Sequence, residues 1–192
     1  MVPALAALGQ IVNTYGIGGD LACHELGLTV TVGQKSVEAD IAAFLRYPIP
    51  VTLIGEVKGR NRIDQNDLDN LGWLQDRLTG EGFDSLIVLV TAKQSFGPEE
   101  VAILRTFCEV RAEVVTVRRS LTPRLPLLLT GEDLFLPWMD EESVRRWGRN
   151  DPGLAVHGVA LESCKRNLGL LDWELSRTGP AKLNWVIGLD RA

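Results

Sequence analysis

Three residues in the first third of the chain have the types and spacing to do chemistry: Asp40, Glu56 and Lys58. They lie in two stretches, 37–44 (VEADIAAF) and 51–58 (VTLIGEVK), both rich in β-branched and apolar residues. Charged residues recur there at alternate positions, the period of a strand. In the second stretch Val51, Leu53 and Val57 share one face, and Thr52, Ile54, Glu56 and Lys58 share the other. In the first, Val37, Ala39, Ile41 and Ala43 oppose Glu38, Asp40, Ala42 and Phe44. The link 45–50 holds two prolines and suits a hairpin loop. Folded symmetrically about Pro48, the hairpin brings Ala42 to Ile54, Asp40 to Glu56 and Glu38 to Lys58. Facing Cβ atoms sit roughly 4.5–5.5 Å apart, so two carboxylates there repel unless something cationic lies between them. Lys58 is one candidate, and a hard divalent ion, which takes oxygen ligands, is the other.

An Asp on one strand, Glu-x-Lys at the end of the next and then a helix together resemble the PD-(D/E)XK nuclease superfamily, the restriction-endonuclease-like fold. Asp40 matches the first acidic residue and Glu56-Val57-Lys58 the (D/E)-x-K; Ala39 stands where the family name has proline. The resemblance spans about residues 19–133. It implies a nuclease acting on phosphodiester bonds, DNA more than RNA, with Mg²⁺ or Mn²⁺ held by Asp40, Glu56 and the main-chain carbonyl of Val57. It also implies an acid from the first helix, Asp20 or Glu25, and a polar residue from the helix after the lysine strand, Gln65. The residue types suit that chemistry. Phosphodiester hydrolysis needs charge neutralised on the phosphate and a water made nucleophilic. Mg²⁺ usually takes one or two protein carboxylates and keeps several waters. Lys58 can orient or help deprotonate the attacking water and stabilise developing negative charge.

The elements that must position these residues follow from periodicity. Helical spacing covers 3–14 and 19–26, with Gly27 as a C-cap stop and 28–32 a short strand. Leu68, Leu71, Leu74 and Leu78 stripe a helix over 64–78, with Asp64 at its N-terminus. SLIVLV at 85–90 is apolar on both faces and predicts a central strand. Pro98, Glu99 and Glu100 open a helix to about Val110. Strands are expected at 113–117 and 125–130, and helices at 140–147 and 154–175. The expected fold is an α/β, restriction-endonuclease-like αβββαβ sandwich with a central mixed sheet over 1–133, plus a mainly helical extension over 134–192.

The chain has 192 residues, enough for one good core. No apolar run approaches a membrane span, no signal peptide is read at the start, and three separated cysteines suit reduced thiols in a cytoplasmic protein. Two histidines argue against a His-rich zinc site. A net charge of −5 means that nucleic acid must be gripped by a local patch, not by the overall field. Arg60 and Arg62, the cluster Arg118, Arg119 and Arg124, and the cluster Arg145, Arg146 and Arg149 could contact phosphates, though solvated faces explain them as well. His24 is expected to be structural, and Glu38 a partner of Lys58 or an exposed charge. The acidic balance and the tryptophan-rich tail also suit a different reading: a catalytically inactive nuclease-like fold serving as a nucleic-acid-binding or oligomeric assembly module, joined through the C-terminal helices.

Overall fold

A computed structural model describes residues 2–14, 21–46, 50–111, 114–117, 120–123, 125–135 and 152–170. The elements run α1 (Val2–Thr14), β1 (Leu21–Val32), β2 (Lys35–Leu45), β3 (Val51–Lys58), α2 (Gln65–Gly80), β4 (Ser85–Thr91), α3 (Pro98–Arg111), β5 (Val114–Val117), β6 (Ser120–Pro123), β7 (Leu127–Leu129) and α4 (Pro152–Leu168). Five strands form one mixed sheet in the order β1-β2-β3-β4-β7. The first two pairings are antiparallel and the last two parallel. The protein is thus α/β, as its residue pattern predicts.

Helices cover both faces of this sheet. On one, Leu68, Leu71 and Leu74 of α2, Leu104 and Phe107 of α3, and Leu161 of α4 bury Ile54, Ile87 and Leu89. On the other, Ala4, Ala7, Leu8 and Ile11 of α1 cover Ile41, Ala43, Leu53, Leu86, Val88 and Val90. Every residue of β4 is buried, as expected for a strand covered on both sides. Each large apolar side chain so buried contributes roughly 1.5–3 kcal/mol. The α4 helix packs along β7, and the thiols of Cys108 (α3) and Cys164 (α4) lie 3.8 Å apart in the core as free cysteines.

Three expectations need correction. The segment expected as helix 19–26 followed by strand 28–32 is one twelve-residue strand, β1, paired with β2 along most of its length. Gly27 does not end a helix; it sits within the strand at φ +72°. Leu21, Ala22 and Leu26 have a spacing that both periods tolerate, and the hydrogen bonds offered by β2 decide between them. Second, β5 does not join the main sheet but pairs with β6, a strand the sequence reading lacks because SLTP is short and ends in proline. Third, α4 stops at Leu168, not at 175, because Gly169 adopts φ +61° and its N–H bonds the Lys165 carbonyl at 2.9 Å. The expected helix 140–147 and the tryptophans at 138, 147, 173 and 185 lie outside the described residues. Among the described residues, no helix is long and apolar enough to cross a membrane.

Candidate active site

The hairpin register is the symmetric one: Ala42 pairs Ile54, and the ladder runs from Leu45↔Val51 to Ile41↔Gly55. There it ends. Beyond it the Val57 N–H donates to the Asp40 carboxylate, Oδ2, at 2.8 Å, so a side chain takes over the acceptor role that the backbone of β2 has dropped. The ribbon turns over at this point. Ala39 buries in the α2-side core, whereas Ile41, two residues on, buries in the α1-side core. Gly27 lies across β2 from Asp40, between the pairs Leu26↔Ile41 and Leu28↔Ala39, and its positive φ supplies the twist. On the other flank Gly55 lets β3 approach β4 closely: a Cβ there would lie 2.8 Å from the Val88 carbonyl oxygen.

Glu56 and Lys58 project beside this break. Lys58 Nζ donates to Glu56 Oε1 at 2.6 Å and to Asp67 Oδ1 at 3.0 Å. The side chains of Lys58, Glu56 and Asp67 are only 21%, 15% and 13% exposed. Burial pushes the Glu56 carboxyl up to about 7; the Lys58 bond opposes this without cancelling it, and the charges of Asp40 and Asp67 add to the rise. Burial pulls the Lys58 ammonium down, but its bonds to Glu56 and Asp67 outweigh that and push it up to about 12.

The sequence pattern does not single out Asp67. It is the N3 residue of α2 and forms a reciprocal capping box with Asp64: Asp64 Oδ1 accepts the Asp67 N–H at 3.0 Å, and Asp67 Oδ2 accepts the Asp64 N–H at 2.9 Å. The Asp64-x-x-Asp67 spacing at a helix start was the available signal. The sequence pattern marks Glu100 only as a helix opener. It is 2% exposed, accepts the N–H groups of Ile63 (3.0 Å) and Gly97 (2.8 Å), and pairs with Lys93. Burial raises its carboxyl, but the Lys93 bond and the two backbone donors more than reverse that, so it ends below the usual range. Through Ile63 it pins the linker that joins Lys58 to α2.

The other expected residues stand apart. Gln65 donates to Asp69 on its own helix, at 2.8 Å, and lines a groove of about 330 Å³ between α2 and α3. Glu25 and His24 are exposed on the edge strand β1, opposite Ala42 and Ala43, and Glu38 is exposed on β2. Arg62 pairs with Glu99 at the surface and Arg60 is exposed. Asp20, Arg118, Arg119, Arg124, Arg145, Arg146 and Arg149 lie outside the described residues.

Among the described residues no three His, Cys, Asp or Glu side chains gather as a metal-binding group. The site instead offers Asp40, which accepts the Val57 N–H, and Glu56 on the preceding residue of β3. Glu56, displaced toward its neutral form by burial and by Asp40, is a carboxylate whose ionisation a nearby divalent cation would favour. That donor set suits a hard ion completed by water. No family model, no curated protein and no solved structure matches the chain.

Proposed function

We propose that this protein is a divalent-metal-dependent nuclease of the PD-(D/E)XK type, hydrolysing phosphodiester bonds, with DNA its preferred polymer. The observation that carries the reading is the convergence of Asp40, Glu56 and Lys58 at the open end of the β2–β3 ladder, with Asp40 raising the cost of ionising Glu56. In this reading Asp40, Glu56 and the Val57 carbonyl hold Mg²⁺ or Mn²⁺, which when bound supplies Lewis-acid and water-activating chemistry.

Lys58 then has a defined role. An ammonium pushed up to about 12 stays protonated at neutral pH, so it donates hydrogen bonds and does not take a proton from water. It orients the attacking water and offsets negative charge growing on the phosphate. The neighbouring acids mean that substrate must be gripped locally, since the chain carries a net charge of −5.

Cleavage of plasmid and of single-stranded DNA with Mg²⁺ or Mn²⁺ tests the reading. Lys58→Ala should lose roughly 10²–10³ in rate, the scale for removing one transition-state donor, and Asp40→Asn should also be impaired. Wild-type cleavage no faster than that of either variant would remove the assignment. A second reading, an inactive assembly module, draws on Lys58 being held by two carboxylates. Calorimetry showing no Mg²⁺ or Mn²⁺ binding together with a stable oligomer would favour it.

A further inference from the structure

We propose that Asp67 is a positioning residue that anchors the Lys58 ammonium independently of Glu56. Lys58 ends β3, and its Nζ has two carboxylate acceptors, Glu56 at 2.6 Å and Asp67 at 3.0 Å. The two differ in what else they do. Glu56 is the carboxylate that a bound cation would claim, and an acid drawn to a cation holds a neighbouring ammonium less firmly. Asp67 carries no such second demand. Its other oxygen is fixed by the Asp64 backbone N–H at 2.9 Å, a contact that does not involve the Asp64 side chain. The cap in turn sits at a fixed offset from β3, because Glu100 accepts the Ile63 N–H at 3.0 Å within the intervening linker. A long, flexible lysine side chain is thereby held from the helix side of the site while the strand side is left free for Glu56 to act as a ligand. The catalytic consequence rests on the nuclease reading; the anchoring does not.

Side-chain ¹H–¹⁵N NMR of the Lys58 ammonium tests the anchoring in metal-free protein. A slowly exchanging Lys58 signal is expected in the wild type, in Glu56→Gln and in Asp64→Ala, and is expected to vanish in Asp67→Asn. A signal that persists in Asp67→Asn, or that is lost in Glu56→Gln, overturns the proposal. Asp64→Ala weakens the same helix cap without touching Lys58, so it separates anchoring from folding. In plasmid cleavage at saturating Mg²⁺, Asp67→Asn should lower kcat by about tenfold or more with KM within about twofold, Asp67→Glu should recover part of that loss, and Asp64→Ala should keep kcat within about twofold. Full kcat in Asp67→Asn overturns the positioning role. An inactive wild type with the expected NMR pattern removes the nuclease reading and leaves the anchor supported.

Discussion

Glu56 makes stability fall as pH rises, and Glu56→Gln should abolish that fall. The carboxyl is raised in the fold from 4.5 to about 7, chiefly by burial. Between those two values the unfolded chain has released a proton that the folded chain still holds. Below 4.5 both states are protonated and the residue is neutral in the balance. Through the window the loss grows, and above about 7 it is complete. At about 1.36 kcal/mol per pH unit, the full loss is of the order of 3 kcal/mol, and the 15% exposure of the side chain makes that an upper figure. For a domain of this size about 1 kcal/mol moves Tm by roughly 2–4 °C, so the variant should gain several degrees on the wild type at pH 8 and almost nothing at pH 4. Urea melts across that range, without divalent metal, measure the difference directly. Parallel stability curves for wild type and Glu56→Gln would refute the reasoning, because the difference must change through the window if Glu56 holds its proton in the fold. On the proposed nuclease reading, in which cation and proton compete for the Glu56 carboxylate, Mg²⁺ should restore part of the wild-type loss at pH 8 and little at pH 5, and should do less for the variant.

Asp40→Asn should keep the fold, because the amide oxygen can still accept the Val57 N–H, whereas Asp40→Ala leaves that donor without its acceptor and should cost about 1–3 kcal/mol in denaturant melts. Divalent binding by calorimetry should weaken in both. Gly55→Ala places a Cβ 2.8 Å from the Val88 carbonyl oxygen and 3.1 Å from its Cβ; the obstacle is backbone, so a loss of about 1–3 kcal/mol is expected, together with reduced cleavage as Glu56 is displaced. Glu100→Ala strips the acceptor from the Ile63 and Gly97 N–H groups and the partner from Lys93, and should cost about 2–4 kcal/mol. Glu100 lies below its ordinary value, so its sign is opposite to that of Glu56: its contribution is present above pH 4.5 and fades as pH falls below it, and the acid limb of the wild-type stability curve should flatten in this variant.

The parts of the fold that were legible in the sequence are those that local pattern decides. The β2–β3 hairpin follows from two alternating runs around a proline-bearing loop, and its register from symmetry about Pro48. The β4 strand follows from an unbroken apolar run, α2 from its leucine stripe and Asp64 cap, and α3 from Pro98 and the acids after it. The parts that were not legible depend on distant partners. The residues of β1 suit either period, and only the presence of β2 fixes them as strand. The helix-borne polar residue shows the same limit at finer scale. Gln65 and Asp67 are two residues apart at the start of α2, which at 3.6 residues per turn is about 200° around the axis, so they look in nearly opposite directions. One lines the α2–α3 groove and the other meets Lys58. The leucine stripe fixes which side of α2 turns into the core, but not which of the polar residues at its start meets the end of β3.

Gly27, which in sequence resembles a helix stop, is also the residue at which the candidate site opens. A ladder continuing past Ile41↔Gly55 would satisfy the backbone of β2 and β3 and keep the strands together. Gly27, at φ +72° across from Asp40, turns the ribbon so that Ala39 and Ile41 face different cores. The strands part there, and the Val57 N–H must find another acceptor. Asp40 supplies it with one carboxylate oxygen, which commits that oxygen to the backbone and orients the carboxylate toward β3. The acid expected to face Glu56 in an ideal hairpin is therefore held by a defect in the hairpin, and its distance from β3 is set by a hydrogen bond and not by strand spacing alone. The break fixes the Asp40 carboxylate beside β3, where its charge adds to the rise that burial chiefly imposes on Glu56.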